Sequence, residues 1–592
     1  MNVANYIVDF IANRGVENIF MITGGQAMFL NDAVYQNKKI KPIFHHHEQA
    51  AGMAAEAYGR ISGNLGVAMV TAGPAAVNVL NGVVGAWVDS APMMVISGQS
   101  SSTNVSYMAS SGIRQYGLQG IYMQPLASAV TKYYVFVDDP ENISFYMEKA
   151  YYLATHGRPG PVWIDVPLDI QRAEIPAKFR QQFSPSEVND IPMVSPKDIT
   201  KVADLLAAAK RPLLVAGQGI RIAKAQEQLD EFLVKTNMPV VTTRLGIDLI
   251  DSQSKIFVGR PGLYGDRSAN FAVQQADFIL CVGARLDPGI VGYDAKDWGR
   301  RAKKVVVDID SKELNKPGIT PLIKIQGDAK EFLSLLLRRI GKTKFTDHSQ
   351  WKTTCAKWRK KYPTVLPSYK NETPVNSYYL TERLSLAAKK TDMIVVDTSS
   401  PFHVVCQAWK IKKGQRFLTT GGISTMGYWP AAIGVCVASG NKRTIVVTGD
   451  GCLQMNIQEL ATVKHTNLPI KLFIINNGGY LLIRHTQKTH MEGRLLGESV
   501  KTGLWIPDSL KIARAYDIKA VSIGSPKDID RKIKEVLTFP GPVICDVKSP
   551  YWQFIGPRIS SDKLPDGRMV SRPYEDMFPF LDKKEMNANM DI

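Results

Sequence analysis

Short, uniformly apolar runs punctuate this chain: the run closed by Pro167, then Pro212 to Ala216, Phe278 to Val282, Val305 to Ile309, Thr444 to Val447 and Leu472 to Ile475. Runs of this length with no polar alternation predict strands buried on both faces. Between the last two, Leu453, Ile457, Leu460, Ala461 and Val463 recur at helical spacing, so residues 444–475 read as one strand–helix–strand unit. Residues 1 to about 180 alternate the same two patterns, and the first and last thirds look like two versions of one sheet. The fold class expected is α/β, with three doubly wound domains built on mainly parallel sheets.

Length agrees, because single cores stop growing near ~250–300 residues and 592 residues imply more than one. A polar, proline-bearing link from Phe183 through Pro196 and a basic stretch from Arg338 to Tyr369 divide the chain into 1–183, 195–340 and 370–550, followed by a 551–592 tail of little periodicity. Hydrophobic content of 45% with 21% charged residues is ordinary for a globular protein. No apolar run is long enough to span a bilayer, and Met1 to Asn5 lacks a basic segment before an apolar one, so a cytoplasmic protein is expected, without membrane partners. The six cysteines are scattered without a CxxC pair, which fits reduced, buried thiols. The net charge of +18 raises the alternative of a nucleic-acid-binding protein. Its denser runs, Arg300 to Lys304 and Trp358 to Lys361, read as solvated faces or linker and accompany no nucleic-acid motif; a basic field that attracts an acidic substrate fits them better.

The chemistry is clearest at Gly449-Asp450-Gly451 and Asn476-Asn477. Asp450 follows one predicted strand and Asn477 the next, placing both at strand carboxyl ends, where open α/β sheets bind ligands. A hard Mg²⁺ takes oxygen ligands and keeps substrate phosphates, so Asp450, the Asn477 side-chain carbonyl and a backbone carbonyl at Gly479 form a candidate metal site. Gly449 and Gly451 allow close backbone approach to a diphosphate. Asp-Gly turns after strands also arise for backbone reasons alone.

With these motifs the chain resembles thiamin diphosphate (ThDP) enzymes, most of all acetohydroxyacid synthase catalytic subunits, over roughly residues 1–550. The resemblance implies that Glu48, in His45-His46-His47-Glu48-Gln49-Ala50-Ala51-Gly52, hydrogen-bonds the ThDP aminopyrimidine and promotes loss of the thiazolium proton. The competing reading of Glu48 is a carboxylate stabilised by a helix N-terminus. Three adjacent histidines cannot face one point, so no zinc site is expected. Gly422-Ile423-Ser424-Thr425-Met426-Gly427 resembles the family loop whose methionine forces ThDP into its bent form, giving roles to Ser424 and Met426. Thr71 to Asn78 resembles the family's Thr-Ser-Gly-Pro-Gly loop with Ala75 for its second glycine. Asp397-Thr398-Ser399-Ser400 stands where synthases carry Asp-Val-Gly-Gln, leaving Ser399 and Ser400 as substitute diphosphate donors. Gln119 and the Gly24-Gly25 backbone would stabilise oxyanions.

The resemblance also implies a structural FAD in the middle domain. Its candidates are the Gly217-Gln218-Gly219 turn, Gly283, Arg285, Asp308, Ile309, Gly327 and Asp328, with Arg158 reaching over from the first domain. Gly259-Arg260-Pro261-Gly262 departs from the family's Gly-Met-His-Gly there, and a middle domain without flavin is also common in the family. In the acceptor pocket, Leu118 and Thr486 stand where the synthases have phenylalanine and tryptophan, with Leu482 nearby, so a wider and more polar pocket is expected. The function expected is a ThDP- and Mg²⁺-dependent carboligase. It decarboxylates pyruvate and passes the two-carbon unit to a carbonyl acceptor, a bulky ketone such as a nucleotide-linked ketosugar, as in flavin-containing relatives that make branched-chain sugars. The alternatives are acetolactate synthesis from two pyruvates, a plain 2-keto acid decarboxylase, and a flavin-using oxidase. A homodimer or homotetramer with active sites between subunits is implied as well.

Overall fold

Three six-stranded, wholly parallel sheets follow one another along the chain in a computed structural model that describes residues 1–175, 179–188, 191–341 and 343–591. Of the segments singled out above, residues 189–190 of the first link, 342 of the basic stretch and 592 of the tail lie outside the described residues. The first sheet comprises β1 (Asn18–Met21), β2 (Lys41–Phe44), β3 (Gly66–Val70), β4 (Met93–Gln99), β5 (Tyr133–Phe136) and β6 (Pro161–Pro167). The second comprises β7 (Pro212–Ala216), β8 (Val240–Thr242), β9 (Phe257–Gly259), β10 (Phe278–Val282), β11 (Lys303–Asp308) and β12 (Ile323–Gln326). The third comprises β13 (Met393–Val396), β14 (Arg416–Thr419), β15 (Thr444–Gly449), β16 (Ile470–Asn476), β17 (Lys519–Ile523) and β18 (Val543–Lys548).

The first sheet runs β2-β1-β3-β4-β6-β5 and the third β14-β13-β15-β16-β18-β17, the same order strand for strand, as their similar patterning predicts. The middle sheet runs β12-β11-β10-β7-β8-β9. Its strands show why the apolar runs are unbroken: Leu214, Ala216, Leu280 and Val282 enter the core on one face, and Leu213, Val215, Ile279 and Cys281 the core on the other.

The first and third sheets share a core through helices that carry little side-chain bulk. Helix Glu48–Ser62 packs on helix Pro74–Asp89 and on helix Ala431–Ala438. A Cβ at Gly82 would stand 2.5 Å from the Gly52 carbonyl carbon, and one at Gly434 would strike the Ala54 carbonyl, so alanine and glycine here permit backbone-to-backbone approach. All six cysteines are buried and unpaired, and no helix among the described residues is long and apolar enough to cross a membrane.

Two regions differ from expectation. The basic stretch contains helix Ser349–Lys361, whose Trp351, Cys355 and Trp358 bury against one face of the middle sheet, an apolar stripe hidden among lysines and arginines. The tail is built rather than featureless: two short antiparallel pairs, Arg558–Ile559 with Met577–Phe578 and Ser561–Lys563 with Met569–Ser571, precede helix Lys583–Met590. Tyr574, Met577 and Met590 join the same core. Polar ties hold it, with Arg300 on Glu575 at 2.6 Å, Asn270 donating to the Tyr574 carbonyl and Trp358 Nε1 to Asn589. The two dense basic runs thus supply Arg300 and the helix bearing Trp358 to internal packing as well as charge to the surface.

Candidate active site

The neighbouring strands β13, β15 and β16 deliver Asp397, Asp450 and Asn477 to one edge of the third sheet. Asp450 is almost fully buried; one carboxylate oxygen accepts from the amide of Gly451 at 2.8 Å, the other from Gly478 at 2.8 Å and Gly479 at 3.0 Å. Burial lifts its pKa to about 6 against those amide bonds. No ion pair reaches it among the described residues. Asn477 is buried beside it, and its Oδ1 has no hydrogen-bond partner. A buried carboxylate without a cation, next to an orphaned amide oxygen, is a donor set suited to a hard cation. Among the described residues no group of three or more His, Cys, Asp or Glu collects to bind a softer metal. Gly479 has φ +141, and a Cβ there would strike the Glu498 carbonyl, so only glycine fits. A Cβ at Gly451 would strike the Tyr480 ring and stand 3.3 Å from Met426 Cε, whereas one at Gly449 meets nothing closer than 3.7 Å.

Asp397 went unassigned from the sequence, yet it organises the loops around this edge. Fully buried, it accepts from the amides of Thr398 at 2.8 Å, Gly427 and Tyr428 at 3.1 Å and Trp429 at 3.3 Å, and from the Thr448 hydroxyl at 3.0 Å. The half-buried Met426 is thereby held beside Gly451. Ser399 at φ +67 and Ser424 at φ +50 occupy left-handed backbone where the resembling loops have glycine, a local strain typical of functional turns. Ser400 is buried at the start of helix Ser400–Ala408. Glu498 was also missed; its carbonyl accepts from the Tyr480 amide at 2.8 Å, and its side chain pairs with the fully buried Arg484 at 2.5 Å.

The first sheet carries a second set. Glu48 opens helix Glu48–Ser62, half-buried, and accepts from Asn78 Nδ2 at 3.0 Å. Its turn is fixed by Glu459, which takes the amides of His46 and His47 at 3.0 and 2.9 Å and His45 Nδ1 at 2.9 Å. The three histidines do diverge: His45 is buried, His46 exposed, and His47 accepts from the Gln49 amide to cap the helix. A Cβ at Gly24 would lie 2.5 Å from Thr71, and one at Gly73 2.7 Å from the carbonyl of Gln119, itself exposed at φ +57; Gly25 faces open space. Among the described residues no hydrogen bond joins Glu48 or Gln119 to Asp450 or Asn477.

A cavity of about 390 Å³ lies against the middle sheet, lined by Arg158, Gly219, Gly283, Arg285, Asp308, Ile309, Gly327 and Asp328 together with Ser90 and Gly421 of the flanking units. Arg158 does reach across, to Asp310 at 2.8 Å and Glu313 at 3.2 Å. Burial raises the pKa of Asp308. Gly217 is absent from the lining: its amide donates to the Val282 carbonyl, and a Cβ there would strike Gly283 and Ala284, so its glycine serves loop packing. Arg260, the departure from the family pattern, is buried and donates to the Trp409 carbonyl at 2.9 Å, tying the middle unit to the third. A second cavity of about 430 Å³ connects this region to Ser399, Ser424 and Leu482. Leu118, 77% exposed, and Thr486, exposed one turn after Leu482, line neither cavity.

Comparison with known proteins agrees with the fold of three parallel sheets. Residues 1–126 match the thiamine pyrophosphate enzyme N-terminal TPP binding domain, 199–336 its central domain and 397–547 its C-terminal TPP binding domain. The acetolactate synthase large subunit of Cyanidium caldarium is 32% identical, over 91% of this chain and 92% of its own length. The isozyme 1 and isozyme 2 large subunits of Escherichia coli (strain K12) are 29% and 30% identical, over 92% and 95% of this chain and 93% and 99% of theirs.

Proposed function

The chain belongs to the thiamine pyrophosphate enzyme family and is acetolactate synthase-like, and we propose that it is a Mg²⁺-dependent carboligase that decarboxylates pyruvate and adds the two-carbon unit to a carbonyl acceptor. The observation that carries this is the carboxyl end of the third sheet, where the buried Asp450 and the unpartnered Asn477 Oδ1 stand beside a glycine-lined turn and would supply oxygen ligands. Bound there, ThDP supplies the carbanion chemistry that pyruvate decarboxylation needs. The protein's share is position and proton handling. Asp450, Asn477 and the Gly479 carbonyl would hold the metal, Met426 would pack against the cofactor, Glu48 would share a proton with its pyrimidine ring, and Gln119 with the Gly24-Gly25 backbone would stabilise oxyanions. Glu48 stands on the first unit and Asp450 on the third, and on this reading the working site forms between two copies in a homodimer or homotetramer. Buried free thiols support a reducing, cytoplasmic setting.

A second pyruvate as acceptor, giving acetolactate, is the reading the relatives' names favour. The bulky-ketone reading rests on Leu118 and Thr486 in place of two aromatic walls. Incubating the enzyme with pyruvate alone and with competing ketones, then identifying products, decides between them; acetaldehyde as the sole product would remove carboligation altogether. FAD in the 390 Å³ cavity is supported by Arg158, Asp308 and the Gly219–Gly283 contact. The purified protein is then yellow and turns over anaerobically with no net change in flavin absorbance. A colourless active protein would remove the flavin, and stoichiometric oxygen uptake would make it an oxidase.

A further inference from the structure

The second cavity shares Arg244, Arg285, Asp287 and Gly421 with the first and contains polar atoms to which no role was given above. Arg244 Nη2 and His403 Nδ1 are both buried without a hydrogen-bond partner, and both residues line it. Each such atom costs free energy until something bonds it. The guanidinium of Arg244 stands 5.0 Å over the Phe402 ring, which occupies its face and leaves its N–H edge. His403 is fixed by stacking on Tyr264 at 3.9 Å between ring centroids. Arg285 also lines the cavity but is engaged, donating to the Val88 carbonyl at 2.7 Å and reaching Asp287 at 3.4 Å.

The local charge is one-sided. Asp287 is the one carboxylate among the lining residues, against Arg244 and Arg285, and Arg558 of the tail adds a third cation near His403. Burial and the charges of Arg244 and Arg558 keep the His403 imidazole neutral at neutral pH, so its Nδ1–H tautomer can donate without adding a fourth charge. Thr398, Ser399 and Ser424 line the side where the cavity meets the strained loops of the third sheet, which is the side given above to ThDP, so Arg244 and His403 are the donors left for a second ligand.

We infer that Arg244 and His403 centre a binding site for a phosphate or diphosphate group carried by the carbonyl acceptor. The guanidinium fork suits a phosphate edge bidentately, and at about 430 Å³ the cavity is in the range that encloses ligands much larger than a three-carbon acid. This inference rests on the carboligase reading for the word acceptor; the anion site itself does not.

The test uses full-length enzyme saturated with ThDP, Mg²⁺ and FAD, so that the cofactor sites cannot take up the probe, which is inorganic pyrophosphate followed by calorimetry. Wild-type protein binds it, Arg244→Leu binds it about ten- to a hundredfold more weakly, and Arg244→Lys, which keeps the charge but loses the fork, lies between. Flavin content per chain stays the same in all three, and acceptor competition shows Arg244→Leu losing preference for a phosphorylated ketone over pyruvate. Equal pyrophosphate affinity in wild type and Arg244→Leu would overturn the site. So would loss of flavin with the arginine, which makes Arg244 a cofactor ligand, or a loss confined to pyruvate as acceptor, which makes the bound anion a carboxylate. If no carboligation occurs with any acceptor, the functional reading fails while the pyrophosphate measurement still reports on the anion site.

Discussion

The first and third sheets have the same strand order and share a further feature, a buried carboxylate with no cationic partner among the described residues. Asp165 on β6 accepts from Ser97, Gln99 and Tyr134; Asp397 beyond β13 accepts from four amides and a threonine. Burial raises both pKa values to about 6. The difference lies at the strand ends. The first sheet offers a half-buried Glu48 within reach of Asn78 and close-packed glycine turns. The third offers a buried acid, an orphaned amide oxygen and two strained serines. On the proposed reading, one scaffold supports proton exchange in one sheet and metal–diphosphate binding in the other, with the chemistry set by a few residues grafted on equivalent strand ends.

If that division is right, the largest effect comes from Asp450→Ala. It deletes an anionic ligand and leaves the Gly478 and Gly479 amides unsatisfied, so Mg²⁺-dependent retention of ThDP falls below detection in equilibrium dialysis. Unchanged retention would move the metal elsewhere. Glu48→Gln, on the other half, is expected to leave ThDP retention within a few-fold while turnover drops roughly 10²- to 10⁴-fold, because an amide cannot exchange the required proton. A parallel loss of binding in this variant would erase the distinction between the halves.

Acidity provides a smaller test of what the two sheets share. Asp165 and Asp397 carry folded pKa values of about 6 against an ordinary 3.8. A raised folded pKa means the native state binds the proton more tightly than the unfolded chain. The stabilisation is therefore fully present below the unfolded value and lost as pH rises through about 6. Between pH 5 and 7 each group contributes about 1 kcal/mol of falling stability in the cofactor-free protein. Urea titrations at the two pH values should show this difference shrinking by that amount in Asp165→Asn, whatever the variant's absolute stability; an unaltered difference would mean that Asp165 titrates normally.

Strands were readable where they are buried on both faces: β7 and β10 begin and end at the residues the apolar runs indicate, and β15 and β16 deliver Asp450 and Asn477 as their spacing implies. The helix Ser349–Lys361 was obscured because only Trp351, Cys355 and Trp358 mark its buried stripe within a strongly basic stretch. Asp397, Glu459 and Glu498 escaped for another reason. Their partners are mostly backbone amides or distant in sequence, as with His45 and Glu459, and local spacing carries no trace of such contacts. An acidic residue directly after a buried strand was the one available signal for Asp397.

The last test concerns the acceptor, where on the proposed reading the two halves meet between copies. In the single chain Leu118 is 77% exposed on the first half and Thr486 is exposed on the third, one turn from the cavity-lining Leu482. If assembly brings them to one pocket, Leu118→Phe and Thr486→Trp each add an aromatic wall, and the pair narrows the same space. Preference for a bulky ketone over a second pyruvate, measured by competition in one vessel, should then fall about tenfold, as a few misplaced methylenes' worth of bulk does in other pockets. The decisive quantity is the coupling in the double-mutant cycle. Residues that share a pocket interact by ~0.5–3 kcal/mol, whereas separated ones add independently. Simple additivity would mean that Leu118 and Thr486 face different surroundings, and with it the structural case for a wide acceptor pocket would give way to acetolactate synthesis.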